Sequence, residues 1–483
     1  MKFTRHIALF AIATALCVSP VPTTAAEKVN VLVIDSGSDF SHDALKHLAW
    51  PNELELKGKA GVDDDDNGYV DDVYGWNFID NNNVLVELQD TPPDYDRVLR
   101  CMELLGKLQA YGKEGMTADE FKYLATHYQD KKFWAWVGFV GGWAHGTHCA
   151  GIVATKNDGI NLNAIKHINT GGAPEQEAKE ALSSIKHAMV HRGVARRNGS
   201  TTESPKVSMA DLEKYFSQLG QKYSEAIKPK ADYIASLKPR LINCSFGSEN
   251  KSLLAMMKNN MQSWGFQNPT DAEVQEVVNL FVTRAFLPRD KTFFDGCKDA
   301  LVFIAAGNSS EDLDDIVTSP NDVPISNKLV VAATDEDQKI APFSCHGPTK
   351  VDVAVPGVNI FATYPNQKMG YMSGTSMACP NALRYASMVL GENPDLTAIQ
   401  LKKILMDTVD KKDWLKDKVR SGGVINVTRA IFAAKQMAEG KSLFEAVKAS
   451  RSQVPDKAPR SAKRTRPNLN DPLVKELYFS VIK

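Results

Sequence analysis

Five short stretches of this chain carry at most one polar residue each: Val29 to Ile34, Leu241 to Cys244, Leu301 to Ala305, Leu329 to Ala333 and Val351 to Val355. They are apolar through their length rather than alternating, as strands are when both faces of a parallel sheet are covered. Helical stretches lie between them. Glu177 to Val190 sets Ala181, Ile185, Ala188 and Met189 roughly on one face, and Ser376 to Leu390 is a second such run. Alternation of this kind predicts an α/β fold, a mainly parallel sheet flanked by helices on both sides.

Two segments break the pattern and read as helical insertions. In about 91–130, Val98, Leu99, Met102 and Leu105 fall at helical spacing, and Thr117 with Glu120 forms a capping box before Phe121 and Leu124. In about 195–238, Leu212, Phe216, Leu219, Tyr223 and Ile227 make one stripe. Both stripes are expected to pack on the parent domain. From Ala449 to Asn470 the chain is basic and poor in apolar residues, so 441–483 is expected to be a partly disordered C-terminal tail. Its last stretch, Leu473 to Ile482, regains apolar residues that can dock back on the body.

At the other end, Lys2 and Arg5 precede an apolar run from Ile7 to Val18, then Pro20, Pro22 and Thr24-Ala25-Ala26. That is the layout of a secretory signal peptide, with 1–26 removed. The run is shorter than the ~20 residues a spanning helix needs, and no later transmembrane segment is evident. The protein is therefore expected to be exported, to the periplasm or beyond. A formal net charge of −1 over 483 residues gives no sign of a nucleic-acid partner. Six cysteines remain after cleavage (Cys101, Cys149, Cys244, Cys297, Cys345 and Cys379), and at most one or two disulfides are expected among them.

Three short motifs carry chemistry. Ser376 lies in Ser373-Gly374-Thr375-Ser376-Met377-Ala378-Cys379-Pro380, with small neighbours and a helix start, where a nucleophilic hydroxyl or an ordinary N-cap serine both fit. His145 opens His145-Gly146-Thr147-His148-Cys149, a place for a general base or for a buried structural histidine. Asp35 ends Val31-Leu32-Val33-Ile34-Asp35-Ser36-Gly37, at the carboxyl end of a strand, where α/β sheets gather ligands and where a turn aspartate is also common. Each alone is ambiguous.

Together they resemble the subtilase family of serine peptidases, whose motifs stand here at Asp35, His145 and Gly374 in the chain order aspartate, histidine, serine. The resemblance implies a subtilisin-like catalytic domain over 27–440. It also implies a triad of Asp35, His145 and Ser376, with the side-chain amide of Asn308 in Ala305-Ala306-Gly307-Asn308 as oxyanion donor. Ser245-Phe246-Gly247 would line the pocket for the residue before the scissile bond, and Cys149 matches the cysteine of proteinase K-like members. The implied function is a secreted serine endopeptidase acting on polypeptides, with no cofactor required for the chemistry. The alternatives are an inactive subtilase that binds peptides, a metallohydrolase using His145, His148 and the acidic loop, and an esterase. Asn381-Ala382-Leu383-Arg384 departs from the family's small residues after the proline, and only Glu27 and Lys28 separate the expected cleavage site from the first strand, so folding without an N-terminal propeptide is expected.

Six aspartates crowd Asp63 to Asp72 around Asn67-Gly68. Asp63, Asp65 and Asn67-Gly68 match the opening of a calcium loop, although Tyr74 stands where the closing glutamate of an EF-hand would be. The expectation is a structural calcium site on Asp63, Asp65, Asn67 and Asp71.

Overall fold

The computed structural model describes residues 27–169, 207–457 and 467–481. The signal-peptide segment 1–26 and the Glu177 to Val190 helix lie outside the described residues.

Eight strands form the central sheet in the order β2-β1-β3-β4-β5-β6-β10-β9. They are β1 (Val29–Asp35), β2 (Ile160–Lys166), β3 (Leu241–Cys244), β4 (Leu301–Ala305), β5 (Lys328–Thr334), β6 (Val353–Pro356), β9 (Asp410–Lys411) and β10 (Gly423–Val424). All neighbours are parallel except the β10–β9 edge pair. A separate antiparallel hairpin, β7 (Ile360–Tyr364) and β8 (Lys368–Met372), leads into the Ser376 segment.

The continuous apolar runs have a simple cause. Along β1, Val31 and Val33 enter one core while Leu32 and Ile34 enter the other. Phe303 and Val302 in β4 divide the same way. Each fully buried side chain of this size contributes about 1.5–3 kcal/mol, so neither face tolerates a polar residue without a partner. The first core is closed by α5 (His145–Ala154), α10 (Thr375–Glu392), α12 (Val427–Ala438) and the inserted α2 (Tyr95–Tyr111).

The 91–130 insertion folds as α2, α3 (Ala118–Gln129) with the Thr117–Glu120 capping box, and then α4 (Lys131–Trp143), which runs to the edge of the histidine motif. In the second insertion α6 spans Met209–Ser236. Its amino half does not pack on the sheet. Leu212, Phe216 and Leu219 form a third core with α7 (Asn250–Ser263), α8 (Asp271–Phe281) and the π-helical turn Val282–Phe286 that leads into α9 (Leu287–Phe294). That helical block was not anticipated as a unit.

Beyond residue 440 the described residues pack on the body. Arg429, buried in α12, donates to Thr408 O at 3.2 Å, Val409 O at 2.9 Å, Val454 O at 2.8 Å and Asp456 Oδ1 at 2.6 Å. Helix α13 spans Leu443–Gln453, and α14 (Pro472–Phe479) buries Val474, Leu477 and Tyr478 in the first core. All six described cysteines are free and buried. No described helix is long and apolar enough to cross a membrane.

Candidate active site

Parallel pairing puts the carboxyl ends of β1, β3 and β4 side by side, and the candidate residues follow from that register. Asp35 ends β1 fully buried, and its Oδ1 accepts from Ser36 N at 2.7 Å and from His145 Nδ1 at 2.7 Å. A carboxylate only accepts, so Nδ1 carries the hydrogen and the Nε2 lone pair is left free. His145 is the first residue of α5. That helix starts hard against β1: a Cβ at Gly146 would lie 2.1 Å from Gly37 O and 3.0 Å from Asp35 Cβ, so only glycine fits behind the histidine.

Ser376 is the second residue of α10 and is 4% exposed. Four residues on, Pro380 lacks the N–H that would close the helical bond onto Ser376 O. Two side chains take that place: Ser245 Oγ donates to Ser376 O at 2.9 Å and Cys149 Sγ at 3.4 Å. Ser376 Oγ itself donates to Ser245 O at 3.2 Å. Among the described residues no hydrogen bond joins it to His145.

Asn308 follows β4, and its Oδ1 accepts from Thr375 N and Thr375 Oγ1, both at 2.9 Å. A backbone N–H can only donate, so the amide orientation is fixed and Nδ2 faces away from Thr375. The N–H of Ser376, at the amino end of α10, lies among the helix's first donors, which have no acceptor within the helix. Gly247 is exposed, whereas Ser245 is buried and holds its hydroxyl on Asn243 Nδ2 at 3.0 Å. Ser248 N donates to Ser319 O at 2.7 Å, tying the Ser245-Phe246-Gly247 segment to a neighbouring wall.

The other two groups of the histidine motif are turned elsewhere. Cys149 is fully buried, and burial pushes its thiol well above the usual range, so no thiolate forms. His148 faces the β7–β8 hairpin, with Nε2 at 3.1 Å from Ile360 O, and does not share a metal-binding arrangement with His145.

A family model for the subtilase family matches residues 136–430, well over half of the chain. The chain belongs to the subtilase family. Subtilisin-like protease 1 of Plasmodium vivax is 24% identical over 419 residues, covering 83% of this chain and 46% of that protein. Serine protease AprX of Bacillus subtilis is 32% identical over 158 residues, 27% of this chain and 35% of that one. Among solved structures, a cold adapted subtilisin-like serine proteinase matches 82% of this chain and 89% of its own at 18% identity, with a TM-score of 0.38. This subtilase thus spans about half the length of the Plasmodium vivax and Plasmodium berghei proteins it matches.

In this subtilase the acidic loop folds differently from its sequence pattern. Glu55, Asp65 and Asp72 converge, each offering an oxygen within 4.8 Å of the others. Of the four expected ligands only Asp65 is in that group. Asp63 instead caps Asn67 N at 3.1 Å and Gly68 N at 2.7 Å, and Asp71 Oδ2 accepts from Gly61 N at 2.8 Å. Asn67 turns its Nδ2 toward Asp65 and Asp72, and Asn52 does the same at 2.9 and 3.0 Å. Burial raises the Asp72 carboxyl to about 6. Glu55 comes from α1 (Glu53–Lys57), where no spacing rule links it to the loop. Thr375, which orients Asn308, was likewise missed, although it sits one residue before the serine. Arg384 finds Thr155 O at 3.1 Å and Asn381 Oδ1 at 2.9 Å.

Proposed function

We propose that this subtilase is a serine endopeptidase that hydrolyses polypeptides through an acyl-enzyme. The observation that carries this reading is the 2.7 Å contact of His145 Nδ1 with buried Asp35, which leaves Nε2 as a free base beside the segment bearing Ser376. Ser376 Oγ turns from the Ser245 carbonyl toward His145, gives up its proton and attacks the peptide carbonyl. His145 then protonates the leaving amine, while Asp35 holds the ring and stabilises its charged form. Asn308 Nδ2 and the Ser376 N–H receive the oxyanion. The substrate main chain adds as a strand along Ser245-Phe246-Gly247. No cofactor takes part in these steps.

The bond from Ser376 Oγ to Ser245 O favours a second reading, a peptide-binding subtilase whose serine stays turned away. A fluorophosphonate probe separates the two. Wild type is expected to be labelled on Ser376 and to cleave a peptide library, and Ser376→Ala to do neither. An unlabelled wild type that still binds peptides supports the second reading.

We also propose a structural calcium ion on Glu55, Asp65 and Asp72. Two of these carboxylates are nearly fully enclosed, and a hard cation with oxygen ligands offsets their mutual repulsion. The ion would brace the loop and take no part in the reaction. Export follows from the 1–26 signal-peptide pattern, and the mature protein should begin near Glu27 by mass spectrometry. A mature start well beyond Val29 would refute cleavage at that point.

A further inference from the structure

His148 takes no part in the proposed proton transfer, yet its ring is fully buried one turn after His145. Its Nε2 lies 3.1 Å from Ile360 O and 3.3 Å from Gly370 O. Carbonyl oxygens only accept, so Nε2 carries a hydrogen shared between the two strands of the hairpin. Nδ1 is a buried lone pair with no partner among the described residues. Burial first, and then nearby His145, push the ring's pKa down to about 3, so it is neutral at working pH.

Other contacts join the same two elements. Thr363 Oγ1 donates to Thr147 O at 2.7 Å, and a Cβ at Gly151 would lie 2.2 Å from Thr363 Oγ1, so α5 rests directly on the hairpin. The ring of Tyr364 meets His148 edge-on at 5.5 Å. Helix α2 also meets the hairpin, since a Cβ at Gly106 would lie 2.3 Å from Asn359 Oδ1 and 3.2 Å from Tyr371 Cβ, while Phe361 and Met369 remain 50% and 41% exposed. The hairpin runs on through Ser373 and Gly374 to the nucleophile, held by Asn359 N on Ser373 Oγ and by Gly374 N on Gly357 O, both at 2.9 Å.

We infer that His148 is a positioning residue, a neutral latch joining the helix that carries the base to the hairpin that leads to the nucleophile. The inference rests on the peptidase reading and names a residue that sets the frame of its triad. The test uses full-length wild type, His148→Leu, His148→Gln and Thr363→Val, with folding checked by circular dichroism. His148→Leu is expected to lower kcat about tenfold or more with KM within about threefold, and to speed hydrogen exchange of amides 360–372. His148→Gln, whose amide can donate to the same carbonyls, is expected to recover most of both. A His148→Leu kcat within about twofold of wild type, or a loss with unchanged hairpin exchange, overturns the latch. Should His148→Leu fail to fold, Thr363→Val decides. A smaller kcat loss at constant KM supports the latch, and unchanged kcat with unchanged exchange overturns it. A wild type that neither cleaves peptides nor reacts with fluorophosphonate defeats the peptidase reading instead, and hairpin exchange still reports on the latch.

Discussion

Asp35 and Asp72 are both aspartates enclosed by the protein, 0% and 2% exposed, and they have opposite surroundings. Asp35 faces a backbone N–H and an imidazole that takes a proton in the proposed reaction. Asp72 faces two other carboxylates, with the neutral amides of Asn52 and Asn67 and the hydroxyl of Tyr233 beside it. Burying a carboxylate therefore specifies no role. The group placed opposite it decides whether the charge works on a proton or calls for a cation.

That contrast can be broken most severely at Asp35. Asp35→Asn keeps the shape but favours the wrong ring tautomer of His145, and kcat on a peptide substrate is expected to fall about 10⁴-fold. A loss of less than about tenfold would remove Asp35 from the mechanism. Next in size is Asn308→Ala, expected to lower kcat about 10²–10³-fold with little change in KM, the scale known from the corresponding donor of a subtilisin. A change confined to KM would mean that Asn308 binds substrate and does not stabilise the oxyanion.

The acidic cluster should behave in the opposite sense, affecting melting temperature far more than kcat. Chelation is expected to lower Tm at pH 7.5, and a Tm indifferent to chelator would dismiss the cation. The pH dependence sharpens the point. In chelator the Asp72 carboxyl binds protons more readily folded, near 6, than unfolded, near its ordinary 3.8. Its contribution to stability therefore rises as pH falls through 6, and Asp72→Asn should raise Tm at pH 7.5 and lose part of that advantage by pH 5, the rest going as pH falls toward 3.8. With calcium bound the sign reverses, because acid displaces the ion. Thermal melts of the two proteins at both pH values, with and without chelator, read both signs.

The sequence disclosed most where a single segment held the whole signal. β1, β3, β4 and β5 were legible because each is buried on both faces by its own residues. β2 was not, since Asn161, Asn163 and Lys166 interrupt it. Lys166 is accepted there only because Glu87, at 2.8 Å, and Asp80 meet it from a distant loop. The block α7–α9 shows helical spacing at Val274, Val277, Val278 and Phe281, but its partner on α6 is a long-range fact. In the same way, basic composition pointed to a partly disordered tail but could not show that Asp456 and the carbonyl of Val454 complete the hydrogen bonding of a buried guanidinium. The acidic loop misled because aspartates spaced for a cation are equally well spaced to cap the turn they sit in.

Pro380 has a consequence of its own. By withholding one N–H it detaches the carbonyl of Ser376 from its helix and leaves it to Ser245 and Cys149. The hydroxyl of the proposed docking strand thus grips the peptide group that follows Ser376. A peptide docked on that strand as proposed would lie one hydrogen bond away from the main chain of Ser376.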